Sequence, residues 1–226
     1  MAAPSTSHTE PTLTPTPDYQ AASPKLIGVV LAAGRASRFG SDKRRAAYDS
    51  DHTLLSRSIQ ITAAYCAKVL VVNRPGDEEQ TDLLGPFQQH PQVEQFIAKD
   101  ALHGMGASLA NAASRVLSDQ AGGDSYDGLM VMLADMPYIR PETVEQLIAN
   151  FQTDKIVIPS FMEAHKEKKW GNPVLFSAKW FSALQGLHGD RGAKSLIKAN
   201  PCARIEVVVD DPGILRDVDS PEDLGQ

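Results

Sequence analysis

The chain has 226 residues, 42% of them hydrophobic, with 22 basic and 28 acidic side chains and a formal net charge of −6. That length suits one α/β domain with a sizeable core, and the acidic balance excludes bulk attraction to nucleic acid or an anionic membrane surface. No apolar run approaches the ~18 residues of a membrane span, and the start lacks a basic-then-apolar export signal. Cys66 and Cys202 lie far apart with no Cys-x-x-Cys spacing, which points to a reducing compartment and no structural zinc. The expectation is a soluble cytoplasmic protein.

Residues 1–24 carry five prolines, eight serines or threonines and no lysine or arginine. Such a stretch cannot bury enough apolar surface to offset chain ordering, so a disordered tail is expected before a single domain spanning 25–226.

The run Leu26-Ile27-Gly28-Val29-Val30-Leu31 has no polar alternation and reads as a strand buried on both faces, as in a parallel sheet. It gives way to Ala32-Ala33-Gly34 and a loop ending in Asp42-Lys43. Five basic residues follow in that loop and just beyond it: Arg35, Arg38, Lys43, Arg44 and Arg45. Small residues and then cations at the carboxyl end of a buried strand are how an open α/β sheet builds an anion site. A Walker loop is absent, and so is the Gly-x-Gly-x-x-Gly fingerprint, because Gly34 and Gly40 stand six positions apart.

Thr53 to Ala63 places Leu55, Ile59 and Thr62/Ala63 on one helical face. Lys68–Asn73 is a second buried strand, Asp77 is placed to cap a helix through about Gln89, and Val93–Ala98 is a weaker strand. This alternation predicts right-handed crossovers and a mostly parallel sheet. Leu109, Ala112, Ala113, Val116 and Leu117 then follow helical spacing. Gly104, Gly106 and Ser108 fall at that helix's start, where amides either bind a ligand or simply belong to a flexible loop.

Gly128–Leu133 is another apolar strand, with Asp135 just beyond it and Pro137 closing the ladder. A carboxylate there sits at the crevice where open α/β sheets bind ligands, and it suits Mg²⁺, which takes one or two carboxylates plus substrate phosphates. Further on, Lys155–Pro159, Trp170–Phe176 and Ala203–Val209 read as strands, with short helices flanking Leu187–Lys194. In the tail, Ser220, Pro221 and Glu222-Asp223 are good helix-start chemistry, which leaves Asp217 and Asp219 unexplained. The histidines have no ligand spacing, and no nucleophile elbow or activated cysteine supports covalent catalysis.

Six segments, in order, resemble the MobA-like nucleotidyltransferases, and within them the molybdenum cofactor cytidylyltransferase branch. They are Leu31-Ala32-Ala33-Gly34-Arg35-Ala36-Ser37-Arg38-Phe39-Gly40-Ser41-Asp42-Lys43, Gly104-Met105-Gly106-Ala107-Ser108-Leu109, Leu133-Ala134-Asp135-Met136-Pro137, Gly171-Asn172-Pro173-Val174-Leu175-Phe176, Gly189-Asp190-Arg191-Gly192-Ala193-Lys194 and Asp217–Leu224. The resemblance implies a Rossmann-like three-layer α/β/α sandwich with a mostly parallel sheet. Its nucleotide-binding part would run to about residue 140, with an acceptor-binding part after it.

By the same resemblance, Leu31, Ala32, Ala33, Gly34, Arg35, Gly104 and Ser108 would meet the nucleotide. Arg38 and Lys43 would hold the triphosphate, and Asp135 would bind Mg²⁺ together with Asp217 or Asp219, which the sequence does not separate. Gly189–Lys194 would face the acceptor. The implied reaction transfers a nucleoside monophosphate, from CTP by preference, to a phosphorylated acceptor such as molybdopterin, with transient contact to a molybdoenzyme or its chaperone. The CTP preference follows from Ala33, because the guanylyl-transferring branch carries Leu-Ala-Gly-Gly and a methyl narrows the pocket. A guanylyl-transferring relative and a non-catalytic nucleotide-binding module are the alternatives. Two departures bear on the acceptor: Arg44-Arg45-Ala46-Ala47 replaces Leu/Pro-rich residues, and Asn172 stands where histidine is common.

Overall fold

The computed structural model describes residues 23–34, 39, 41–162 and 167–224. The tail over residues 1–22 and the loop residues Arg35 and Arg38 lie outside the described residues. Strand β1 (Leu26–Leu31) is buried at every position. Leu26 and Val30 belong to the apolar cluster on one face of the sheet, whereas Ile27, Val29 and Leu31 belong to the cluster on the other. An unbroken apolar run is what two covered faces require.

β1 pairs in parallel with β2 (Lys68–Asn73) on one side and with β4 (Gly128–Leu133) on the other, and β2 pairs in parallel with β3 (Val93–Ile97). Helices α1 (Leu54–Ala63) and α3 (Pro141–Ala149) cover the face that buries Val30, Val71 and Met132. The opposite face is covered by α2 (Met105–Ala121), α4 (Phe181–Gln185) and α5 (Lys194–Ala199), through residues such as Leu109, Val116, Phe181, Leu184 and Ile197. The expected three layers are present. α1 starts at Thr53, whose hydroxyl accepts from the Ser56 amide while the Ser56 hydroxyl accepts from the Thr53 amide, a reciprocal cap.

The sheet departs from the parallel pattern in its second half. β5 (Ile156–Phe161) and β7 (Val174–Ser177) are antiparallel, as are β4 and β7, and β6 (Lys169–Trp170) pairs back onto β5. The expected strand over Trp170–Phe176 is therefore two short strands separated by Gly171-Asn172-Pro173. Among the described residues no helix lies between β5 and β7, in keeping with antiparallel pairing in place of a helical crossover. β8 (Arg204–Val208) restores a parallel pairing with β5, and the order of the main sheet is β3-β2-β1-β4-β7-β5-β6.

The helix expected after Asp77 is instead a 3-10 stretch over Thr81–Phe87. Gly85, at φ +55°, and Pro86 interrupt it, and neither continues a helix. Asp77 itself is 2% exposed and turns inward to an arginine. Among the described residues, no helix is long and apolar enough to cross a membrane.

Candidate active site

β1 and β4 deliver their carboxyl ends side by side, and the site forms beyond them. The ladder extends past each strand, with the Ala32 amide donating to Val72 O and the Ala134 amide to Leu31 O. A cavity of about 510 Å³ opens there, lined among others by Leu31, Ala33, Gly34, Gly104, Ser108 and Asp135. Six of the residues singled out from sequence thus meet in one cavity. Ala32 is different: its amide is in the ladder and its carbonyl accepts from Arg44, so its backbone is engaged away from the cavity.

Gly34 is open toward this space, since a Cβ added there would meet no atom of the described residues within 4 Å. Gly34→Ala is therefore expected to leave the melting temperature unchanged or slightly raised, because a restricted unfolded chain favours folding. The added methyl should weaken nucleoside triphosphate binding about tenfold, the ~1.4 kcal/mol of one displaced contact. Calorimetric titration beside a melting curve checks both halves.

Gly104 and Gly106 are glycines for a packing reason. A Cβ at Gly106 would lie within 3 Å of the His188 and Gly189 carbonyls, and the Gly106 amide donates to Gly189 O at 2.7 Å. The start of α2 thus docks the Gly189–Lys194 loop, and that bond uses one of the helix-start amides expected for a ligand. The docked loop places Asp190 on the wall of the 510 Å³ cavity and of a neighbouring cavity of about 380 Å³, which also holds Trp170, Asn172, Arg191 and Lys194. Leu31, Met105 and Leu133 line both cavities as well. The two spaces meet over the end of β1.

The charged centre lies at the same end of the sheet. Asp135, Asp217 and Asp219 each place a carboxylate oxygen within 4.8 Å of the others. The tail that carries the last two is zipped to the first by backbone, the Val218 amide donating to Asp135 O at 2.9 Å. Lys43 reaches into the group, its Nζ donating to Asp135 Oδ2 at 2.6 Å, Val218 O at 3.2 Å and Asp219 Oδ1 at 3.3 Å. Burial pulls the Lys43 ammonium down, but Asp135 and Asp219 outweigh it and hold its pKa above the usual lysine value. The Asp217 carboxyl is pushed up, first by desolvation and then by the charges of Asp219 and Asp135. Three hard oxygen donors this close are a donor set for a divalent cation such as Mg²⁺ or Mn²⁺, so the residues fit the expected ion. Both tail aspartates, between which the sequence did not choose, join Asp135.

The basic cluster read from sequence divides. Lys43 faces the carboxylates, whereas Arg44 is 4% exposed and points away from the large cavity, forking between Asp42 and Asp77. Arg45 pairs at the surface with Asp82. Both are thus committed to carboxylates of the chain itself. Arg44 and Asp77 stand 33 positions apart, so no local spacing could have paired them.

The Arg44 guanidinium beside Asp42 holds that carboxyl below the usual carboxylate range. A group whose folded pKa is depressed stabilises the fold above its unfolded value of about 4 and loses that contribution as pH falls through the folded value. Melting temperature is accordingly expected to drop as pH is lowered below about 4, and less steeply in Asp42→Asn, which thermal scans across pH 2–6 would test.

A family model described as "MobA-like NTP transferase domain" matches residues 28–205. The purine catabolism protein PucB of Bacillus subtilis is 29% identical over 208 residues, covering 89% of this chain and 95% of PucB. A probable molybdenum cofactor guanylyltransferase of Mycobacterium tuberculosis is 31% identical over 137 residues, covering 59% of this chain and 61% of that protein. Among solved structures, Rv0371c of Mycobacterium tuberculosis superposes with a TM-score of 0.72 at 26% identity, covering 89% of this chain and 95% of that one. With its β1 and β4 ends, its signature segments and these matches in agreement, the chain belongs to the MobA-like NTP transferase family of nucleotidyltransferases.

Proposed function

We propose that this nucleotidyltransferase moves CMP from CTP to a phosphorylated acceptor, molybdopterin being the acceptor of choice, and releases pyrophosphate. The observation that carries the reading is the lysine and three carboxylates beside two adjoining cavities. One cavity suits the nucleotide. The other, with apolar walls, Trp170 and the cations Arg191 and Lys194, suits a flat heterocycle bearing a phosphate.

An acceptor phosphate oxygen attacks the α-phosphorus, a new phosphoanhydride P–O bond forms, and the bond to the bridging oxygen breaks with its electron pair leaving on pyrophosphate. Both reactants are anions, so catalysis here consists of alignment and charge neutralisation. Asp135, Asp217 and Asp219 would hold a divalent cation, which supplies Lewis-acid stabilisation of the phosphates when bound. We assign Lys43 and Arg38 to holding the triphosphate. Ala33 lines the large cavity, and in this reading its methyl narrows the base slot and favours the smaller pyrimidine.

Guanylyl transfer is the second reading, favoured by the likeness to a probable molybdenum cofactor guanylyltransferase of Mycobacterium tuberculosis. Pyrophosphate release measured with CTP, GTP, UTP and ATP against an acceptor panel that includes molybdopterin separates the two. Magnesium and manganese should both be supplied, since manganese accompanies one Rv0371c structure. Turnover with CTP and molybdopterin is expected, and Ala33→Gly should shift the CTP-to-GTP ratio toward GTP. Turnover confined to GTP, or binding without turnover on every acceptor, would overturn the CMP-transfer reading.

A further inference from the structure

We propose that Arg44 and Arg74, braced by Asp42 and Asp77, are positioning residues that set the nucleotide-facing backbone and the aim of Lys43. The inference rests on the nucleotidyl-transfer reading and concerns groups that do not line the large cavity. Arg44 donates through Nη1 to Ala32 O at 3.2 Å, and Arg74 donates through Nη1 to Gly34 O at 3.1 Å. These two carbonyls flank Ala33, at the point where the ladder of β1 runs out. Two guanidinium groups therefore hold the carbonyls on either side of Ala33, just past the last ladder bond, from the Ala32 amide to Val72 O.

The carboxylates bind both arginines into one unit. Asp77 takes Arg44 on both oxygens and lies 3.8 Å from Arg74 Nε. Asp42 takes Arg44 at Nε and Nη2 and lies 3.6 Å from Arg74 Nη2. Gln80 adds a bond to Asp77 and Asn73 one to Arg44. Asp42 and Arg44 are the chain neighbours of Lys43, whose ammonium sits 2.6 Å from Asp135. A single ion network thus holds the backbone that reads the base on one arm and the site lysine on the other.

A role in stability alone would explain the burial of Arg44 and Asp77. It does not explain why each arginine also sends a donor to a carbonyl beside Ala33. The planar fork matters, since a lysine in place of Arg44 cannot reach two carboxylates and a carbonyl together.

The test is calorimetric titration of the full-length chain with CTP, UTP, GTP and ATP in MnCl₂, for wild type, Arg44→Lys, Arg74→Gln and Arg74→Lys, each with a melting curve. Arg74 is 25% exposed on its side chain and leaves the Arg44–Asp77 pair in place when replaced, so Arg74→Gln decides the matter even if Arg44→Lys fails to fold. The expected result is a tenfold or greater loss of affinity for the preferred triphosphate, with less than threefold loss for the others, so that base selectivity contracts. Arg74→Lys keeps the charge and should contract selectivity as well. A folded Arg74→Gln with wild-type affinities, or an equal loss for all four triphosphates restored by Arg74→Lys, would overturn the inference, the latter marking Arg74 as a simple charge. Failure of the wild type itself to bind any triphosphate would instead overturn the nucleotidyl-transfer reading, and this inference with it.

Discussion

Asp135→Ala is expected to lower pyrophosphate release at least a hundredfold while the protein folds as before. Loss of one preorganised charge contact at a transferring phosphoryl group typically costs ~3 kcal/mol of transition-state stabilisation, and a ligand of the cation costs no less. The fold should tolerate the change because the tail docks through backbone, Val218 N to Asp135 O, which the substitution leaves in place. Lys43 also keeps Val218 O and Asp219 as partners. Asp135→Asn, which preserves shape and removes charge, should lose a similar factor. Melting temperatures within a few degrees of wild type, with pyrophosphate release reduced to background, are the outcome to look for. Near-normal release by either variant would remove Asp135 from the active site and the metal assignment with it.

The parts of this site that were legible in the sequence are those whose physics is local. β1 announces itself because two covered faces demand an apolar residue at each position, and Asp135 does so because a carboxylate just past such a strand stands at the crevice. The Ser220–Asp223 turn is likewise written in its cap chemistry, and it forms as a 3-10 turn with Ser220 and Asp223 bonded reciprocally. What escaped reading depends on partners distant in sequence. Arg44 looks like part of a solvated basic face until Asp77 arrives from the end of β2. The direction of β7 is not encoded in its apolar pattern, which is the same for a parallel or an antiparallel neighbour. In the sequence Gly106 reads equally as part of a ligand-binding helix start or of a flexible loop, whereas close approach of the His188 and Gly189 backbone dictates it. The pairing of Asp217 with Asp219 was visible as a surplus of carboxylate, but only the zipped tail shows that both join Asp135.

Lys43→Gln is expected to abolish turnover and, at the same time, to make the protein respond more strongly to divalent cations. Three carboxylates within 4.8 Å of one another repel, each pair by a few kcal/mol at ~4 Å in an effective dielectric of about 20. In the structure Lys43 relieves that repulsion, 2.6 Å from Asp135 and 3.3 Å from Asp219. A bound cation would relieve the same repulsion, so lysine and cation act on one set of oxygens. Glutamine keeps a donor for Val218 O but no charge, which should lower the melting temperature in chelator and tighten the site for a cation. Ligand stabilisation grows as RT ln(1 + [L]/Kd), so the rise in melting temperature on adding MnCl₂ should exceed that of wild type at equal concentration. Pyrophosphate release should fall at least a hundredfold, because the triphosphate loses its lysine. A simple structural lysine would produce the first drop in stability without the enlarged manganese response. A manganese shift no larger than wild type's would mean that Lys43 and the cation do not share Asp135 and Asp219, and the assignment of the three aspartates as cation ligands would fall.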